Sequence, residues 1–96
     1  MKLMISPLAE QDIEEIGDYI ALDSPQRAAR FVRTLYQQCQ QIIMSPQAWR
    51  LRAELGEGIR CCVYQRYLII YSADEKTVRI ERVLHGARNI AALSRQ

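Results

Sequence analysis

Few residues in this chain of 96 are equipped for chemistry, and most of them fall in its second half. The single histidine, His85, ends an apolar run and precedes Gly86. An imidazole there has what a general base needs near neutral pH; it also suits a histidine that only caps a strand or bonds a backbone carbonyl. Arg60, Arg79, Arg82 and Arg88 could together hold a phosphate or a carboxylate, because the guanidinium fork matches both. Taken singly, each reads as part of a solvated face. Tyr64, Tyr67 and Tyr71 offer a phenolic proton or a ring for stacking, although Tyr67 and Tyr71 share one face of a strand, where core packing is the stronger reading. Trp49 sits in a loop with Arg50, Arg52 and Glu54. It fits a partner anchor or a lid over the edge of the core.

Other chemistries find no footing. The cysteines are three, and Cys61 and Cys62 are adjacent. Neighbours in a strand point to opposite faces, so these two do not pair. Three cysteines and one histidine show no zinc spacing, and Gly56-Glu57-Gly58 precedes a strand rather than a helix, so no phosphate-binding glycine loop is present. No metal and no cofactor is expected. A net charge of +2 is too small by itself to argue for nucleic acid, and direct nucleic-acid binding is not expected. No apolar run approaches the ~20 residues of a membrane span, and Met1 to Pro7 lacks the apolar region of a signal peptide, so a cytoplasmic protein is expected.

The elements that must position these residues follow from local patterns. The length suits a single domain over 1–96 with a modest core. Lys2 to Ser6 reads as a short strand. Ser6-Pro7 is a helix start, with the hydroxyl as cap and proline where its missing N–H costs nothing. Ala9, Ile13, Ile16 and Ile20 recur at helical spacing, and the acids from Glu10 to Glu15 suit the positive end of the helix dipole; this helix runs from about Pro7 to Ala21. Ser24-Pro25 repeats the start signal, so a tight antiparallel helical hairpin is expected. Ala28, Phe31, Val32, Leu35, Cys39, Ile42 and Ile43 form the second stripe, and Ser45-Pro46 ends it.

Gln47 to Glu57 reads as a loop. Ile59, Cys61 and Val63 alternate with Arg60, Cys62 and Tyr64 in a half-buried strand, linked by Gln65-Arg66 to the apolar strand Tyr67 to Tyr71. A turn at Asp74 to Lys76 leads to a last strand, Val78 to Leu84, with Val78 and Ile80 on one face and Arg79, Glu81 and Val83 on the other. The architecture is α+β: an N-terminal strand, an antiparallel two-helix hairpin, then a three-stranded antiparallel sheet in two layers. The helices are expected to bury Ile13, Ile16, Ile20, Phe31, Leu35 and Ile42 against Leu68 and Ile70 or their face-mates. The face bearing Arg60, Cys62 and Tyr64, together with Arg79 and Glu81, is expected to stay open. Asn89 to Leu93 could make one helical turn or lie extended.

In order along the chain, several pieces resemble the ParE toxins of bacterial toxin–antitoxin pairs, within the wider RelE/ParE superfamily. They are Ser6-Pro7 with Ala9 opening an acidic helix, Ile16-Gly17-Asp18-Tyr19-Ile20, and Ser24-Pro25 with Ala28-Ala29-Arg30-Phe31. Ser45-Pro46, Arg50 to Gly56, Arg66 to Tyr71 and Val83-Leu84-His85-Gly86-Ala87-Arg88 follow. The resemblance covers nearly the whole chain. It implies a helical hairpin on a curved antiparallel sheet and a role in growth inhibition and plasmid stabilisation. It also implies a ParD-like antitoxin that wraps the toxin in a hetero-oligomer, and DNA gyrase as the target, poisoned by binding.

The RelE-like branch instead cuts messenger RNA on the ribosome. That chemistry needs a base for the 2′-hydroxyl, a cation for the phosphate and an acid for the leaving oxygen. Glu81 or His85, Arg60 or Arg79, and Tyr64 are this chain's candidates. RelE-like nucleases tend to carry a catalytic aromatic or basic residue near the C-terminus, whereas this chain has the ParE-like ending His85 to Arg88. For contact with antitoxin or target, the expected residues are Trp49, Arg50, Arg52, Glu54, Arg88 and Leu93.

Overall fold

The computed structural model describes residues 1–86; Arg88, Leu93 and the tail Asn89 to Leu93 lie outside them. The elements are β1 (Lys2–Ile5), α1 (Pro7–Ala21), α2 (Pro25–Met44), β2 (Arg50–Leu51), a 3-10 turn (Ala53–Leu55), β3 (Arg60–Tyr64), β4 (Tyr67–Ala73) and β5 (Thr77–His85). Both helix starts use the expected chemistry. The Ser6 hydroxyl accepts from the Ala9 N–H and the Ser24 hydroxyl from the Arg27 N–H, each with proline next in the chain. Ser6 also donates to the Glu81 carbonyl at 2.7 Å, so one buried hydroxyl both opens α1 and ties it to β5.

The sheet has five strands, in the order β1-β5-β4-β3-β2: the N-terminal strand joins the three expected after the helices, and β2 adds one more. It is mixed: β1 lies parallel to β5, and the other pairs are antiparallel. The expected loop from Gln47 to Glu57 therefore contains an edge strand, with Arg50 opposite Cys61 and Leu51 opposite Arg60, followed by the 3-10 turn. Two residues are too few to show an alternation, which is why the sequence pattern conceals β2.

The helices cover the face that carries Cys62, Ile69, Tyr71, Val78, Ile80 and Val83, and Ala9, Ile13, Phe31, Leu35, Cys39 and Ile42 complete this core. Phe31 is buried as expected, whereas Ile16 and Ile20 are only partly so. Three expectations of facing are corrected here. Leu68 and Ile70 point away from the helices and join Cys61 and Leu84 in a second cluster, against which Leu55 and Ile59 pack. Cys62 and Tyr64 point toward the helices, and Val63 on the opposite face is 68% exposed. Val83 shares the core face with Val78 and Ile80 because the β4–β5 register steps from Ile70↔Arg82 to Tyr71↔Ile80. Glu81 is the extra residue of that bulge, and it reverses the alternation beyond it.

β1 ends at Ile5, opposite Ile80. Beyond that point side chains close the edge of β5. Asp12, in α1, accepts from the Val83 N–H at 3.0 Å and from Arg82 Nε and a terminal guanidinium nitrogen at 2.8 and 3.0 Å. An acid that reads as a partner for the helix dipole thus bonds a strand edge.

Candidate functional site

The residues that could have formed a phosphate-cleaving centre are divided between the two faces of the sheet. Arg79 and Glu81 lie away from the helices. Arg79 Nε donates to Glu81 at 3.0 Å, and the other carboxylate oxygen accepts from the Ser72 hydroxyl. This cation and this base neutralise each other. Arg60, Tyr64 and His85 belong to the helix side but to opposite ends of it. Arg60 is level with Tyr71, whereas Tyr64, Tyr67 and His85 share the far end of the register. Four residues of strand separate the two levels, roughly 13 Å. Arg82 is committed to Asp12. The arginine cluster considered from the sequence is therefore not assembled by Arg60, Arg79 and Arg82.

At the far end, Phe31 packs on Tyr67 at 5.1 Å between ring centroids and on Tyr64 at 6.4 Å. His85 meets Tyr67 edge-on at 5.8 Å, and its buried Nδ1 has no hydrogen-bond partner among the described residues. The next N–H, that of Gly86, donates to the Arg66 carbonyl. The imidazole thus packs on the Tyr67 ring, and no carboxylate among the described residues bonds its Nδ1.

The cysteines behave as packing residues. Burial pushes the Cys39 thiol up to about 11 and raises Cys61 and Cys62 as well, opposite to the shift that makes a thiolate nucleophile. Among the described residues no group of three His, Cys, Asp or Glu side chains could hold a metal ion. No helix among them is long and apolar enough to cross a membrane.

At the other end of the sheet, residues 45–59 make a built surface. The Tyr71 hydroxyl donates to the Pro46 carbonyl, and burial pushes that phenol up to about 12 against the pull of Arg60. Arg60 donates to the Trp49 carbonyl at 2.8 Å. The Trp49 side chain is partly buried against the main core, so it acts as a lid over the core edge. Arg52 closes the loop through its own N–H to the Ile59 carbonyl. Its guanidinium bonds Glu54 at 2.6 Å and holds that carboxyl below the usual range. Arg50 and Leu51 are exposed. An open groove of about 830 Å³ runs beside this loop, lined by Pro46, Ala48, Leu51, Arg60, Asp74 and Glu75 among others. The loop's composition, with Trp49, Arg50, Arg52 and Glu54 together, marks it in the sequence. The Tyr71 anchor and the turn of Arg60 into the groove are not marked there, since neither leaves a local pattern.

Other exposed apolar side chains sit at the tip of the helical hairpin, where Tyr19 and Leu22 are 75% and 86% exposed. The helices beside them are charged oppositely. α1 carries Glu10, Asp12, Glu14, Glu15 and Asp18 and no base, while α2 carries Arg27, Arg30 and Arg33 and no acid.

The sequence profile of the family described as "ParE toxin of type II toxin-antitoxin system, parDE" matches residues 3–90. No curated protein sequence matches the chain. Among solved structures, a chain of the "Chromosomal ParDE TA system from P. aeruginosa" is similar in fold, with a TM-score of 0.75 and 20% identity. The match covers 88% of this chain and 95% of that one.

Proposed function

We propose, since this chain belongs to the ParE toxin family of type II toxin–antitoxin systems, that it acts by binding DNA gyrase and that a ParD-like antitoxin neutralises it in a hetero-oligomer. The observation that carries the binding mode is the division of the candidate catalytic groups. A general base must come within hydrogen-bond reach of the proton it takes. Glu81 is instead held by Arg79 and Ser72 on one face, while Arg60 and His85 stand at opposite ends of the other. The loop Trp49 to Glu54, with Arg50 and Leu51 exposed and Arg52 partly so, supplies the arginine and apolar contacts that dominate protein interfaces. Arg88 and Leu93 are proposed to join it.

The test is a supercoiling assay with purified gyrase, run beside an in-vitro translation assay. Inhibition of supercoiling with translation intact is the expected result. Cleavage of ribosome-bound messages with gyrase untouched would overturn the proposal in favour of the RelE-like activity. A neighbouring reading frame for a small protein with a ribbon-helix-helix start would identify the antitoxin, and its addition should raise the melting temperature of the toxin.

A further inference from the structure

We infer that the groove between residues 45–51 and the β4–β5 turn is a docking site for an extended peptide segment that presents one carboxylate to Arg60 between apolar side chains. It goes beyond the gyrase reading and does not depend on it. Arg60 is half-buried, yet among the described residues its side chain donates only to a neutral carbonyl, that of Trp49. It forms no ion pair among the described residues, although Arg52, Arg79 and Arg82 each hold a carboxylate. A guanidinium kept partly from water with donors to spare favours a planar anion, because charge-assisted bonds strengthen as water is excluded.

The walls choose between anions. Pro46, Ala48 and Leu51 line the groove with apolar surface. Across from them stand Asp74, whose carboxylate already accepts from the Lys76 and Thr77 N–H groups, and the exposed Glu75. A nucleic-acid strand would bring a row of phosphates against these two carboxylates. A peptide brings a single carboxylate to Arg60 and sets its apolar neighbours on Leu51 and Pro46. The backbone of β2 and Gly58, where an added Cβ would meet nothing within 4 Å, leave room for an extended chain.

The experiment is selection of a displayed random seven-residue peptide library on the intact protein. Isolated hits are then titrated against Trp49 fluorescence, Trp49 being the only tryptophan and lying between groove residues Ala48 and Leu51. Enrichment of Asp or Glu flanked by Leu, Ile or Val is expected. Changing that acid to its amide should weaken binding at least about tenfold, the range of a lost charge-assisted pair. Arg60→Gln should abolish the preference for acid over amide. Leu51→Glu, at a half-exposed position, should weaken all hits by placing a carboxylate in the groove. Should Arg60→Gln fail to fold, the acid-to-amide comparison on the unaltered protein decides the matter. The inference is overturned if no peptide is enriched, or if the hits lack an acid. It fails equally if folded Arg60→Gln still prefers acid to amide, or if a 20-nucleotide RNA binds through Arg60 in place of peptides.

Discussion

Asp12→Ala removes the carboxylate that joins α1 to β5. The change breaks a two-pronged bond to Arg82, with contacts of 2.8 and 3.0 Å, and leaves the Val83 N–H without its acceptor. A buried donor left unpaired costs about 1–3 kcal/mol. Breaking a fully buried ion pair costs about 3–5 kcal/mol, but the Arg82 side chain keeps 31% of its exposure and can turn to water. The expected loss is therefore about 3 kcal/mol. A chain of this length is stable by roughly 5–14 kcal/mol, so this is a large share of the total. Asp12→Asn keeps an oxygen for Val83 and loses the charged fork, so it should cost about 1–2 kcal/mol. In the double variant Asp12→Ala/Arg82→Ala the costs should sum to less than the two singles, because neither charge is then stranded. Urea unfolding at pH 7, followed by circular dichroism, measures the unaltered protein and the four variants, the single Arg82→Ala included. A loss below about 1 kcal/mol for Asp12→Ala, or strict additivity within ~0.5 kcal/mol, would refute the reasoning.

Phe31→Ala empties a site between two tyrosine rings and the core, and should cost about 3–5 kcal/mol in the same unfolding assay. Alkaline pH should destabilise the fold. The buried Cys39 thiol, raised to about 11, ionises more readily in the unfolded chain. Its contribution is whole below the unfolded value and disappears as pH rises through the folded one, amounting to at most about 3 kcal/mol; Cys39→Ala should flatten the decline measured from pH 9 to 11. His85→Ala should leave growth inhibition largely intact in a folded protein, since no carboxylate among the described residues orients the imidazole. Arg52→Ala should weaken inhibition by freeing Glu54 and loosening the contact loop, with folding checked by circular dichroism in both cases.

The parts of the fold legible in the sequence are those governed by chemistry within a few residues. Ser6-Pro7 and Ser24-Pro25 mark helix starts because a hydroxyl and a fixed φ act on the very next turn. The stripe through Phe31, Leu35 and Ile42 marks a buried face because helical spacing is repeated often enough to be counted. The phase of β4 was not legible. Tyr67 to Tyr71 is apolar at every position, so alternation offers no choice of face. The choice is made by the partners that Leu68 and Ile70 find, namely Leu84, Cys61 and Leu55. Glu81 defeated the alternation of β5 for a related reason: a bulge is a property of a strand pair, and it appears only when Ile70 and Tyr71 are set against Arg82 and Ile80.

The candidate site was harder to read because residue type does not reveal whether a charge is already committed. Arg79 and Arg60 looked equivalent as cations for a phosphate, and they are not. Arg79 stands two residues from Glu81 on the same strand face, so its partner comes from its own strand and its charge is spent locally. Arg60 has no acid at that spacing in β3, and across the register it faces Tyr71, which cannot neutralise it. Among the described residues only the neutral Trp49 carbonyl accepts from its side chain. A folded chain keeps a partly desolvated cation in that state at a cost, and a ligand carboxylate is the group that would offset it. The same comparison explains why catalysis is the weaker reading. Of the candidate catalytic groups, the base that lies beside a cation, Glu81, is already held by it, and Arg60, the cation with donors to spare, forms no ion pair among the described residues. Recognition is the role proposed for Arg60.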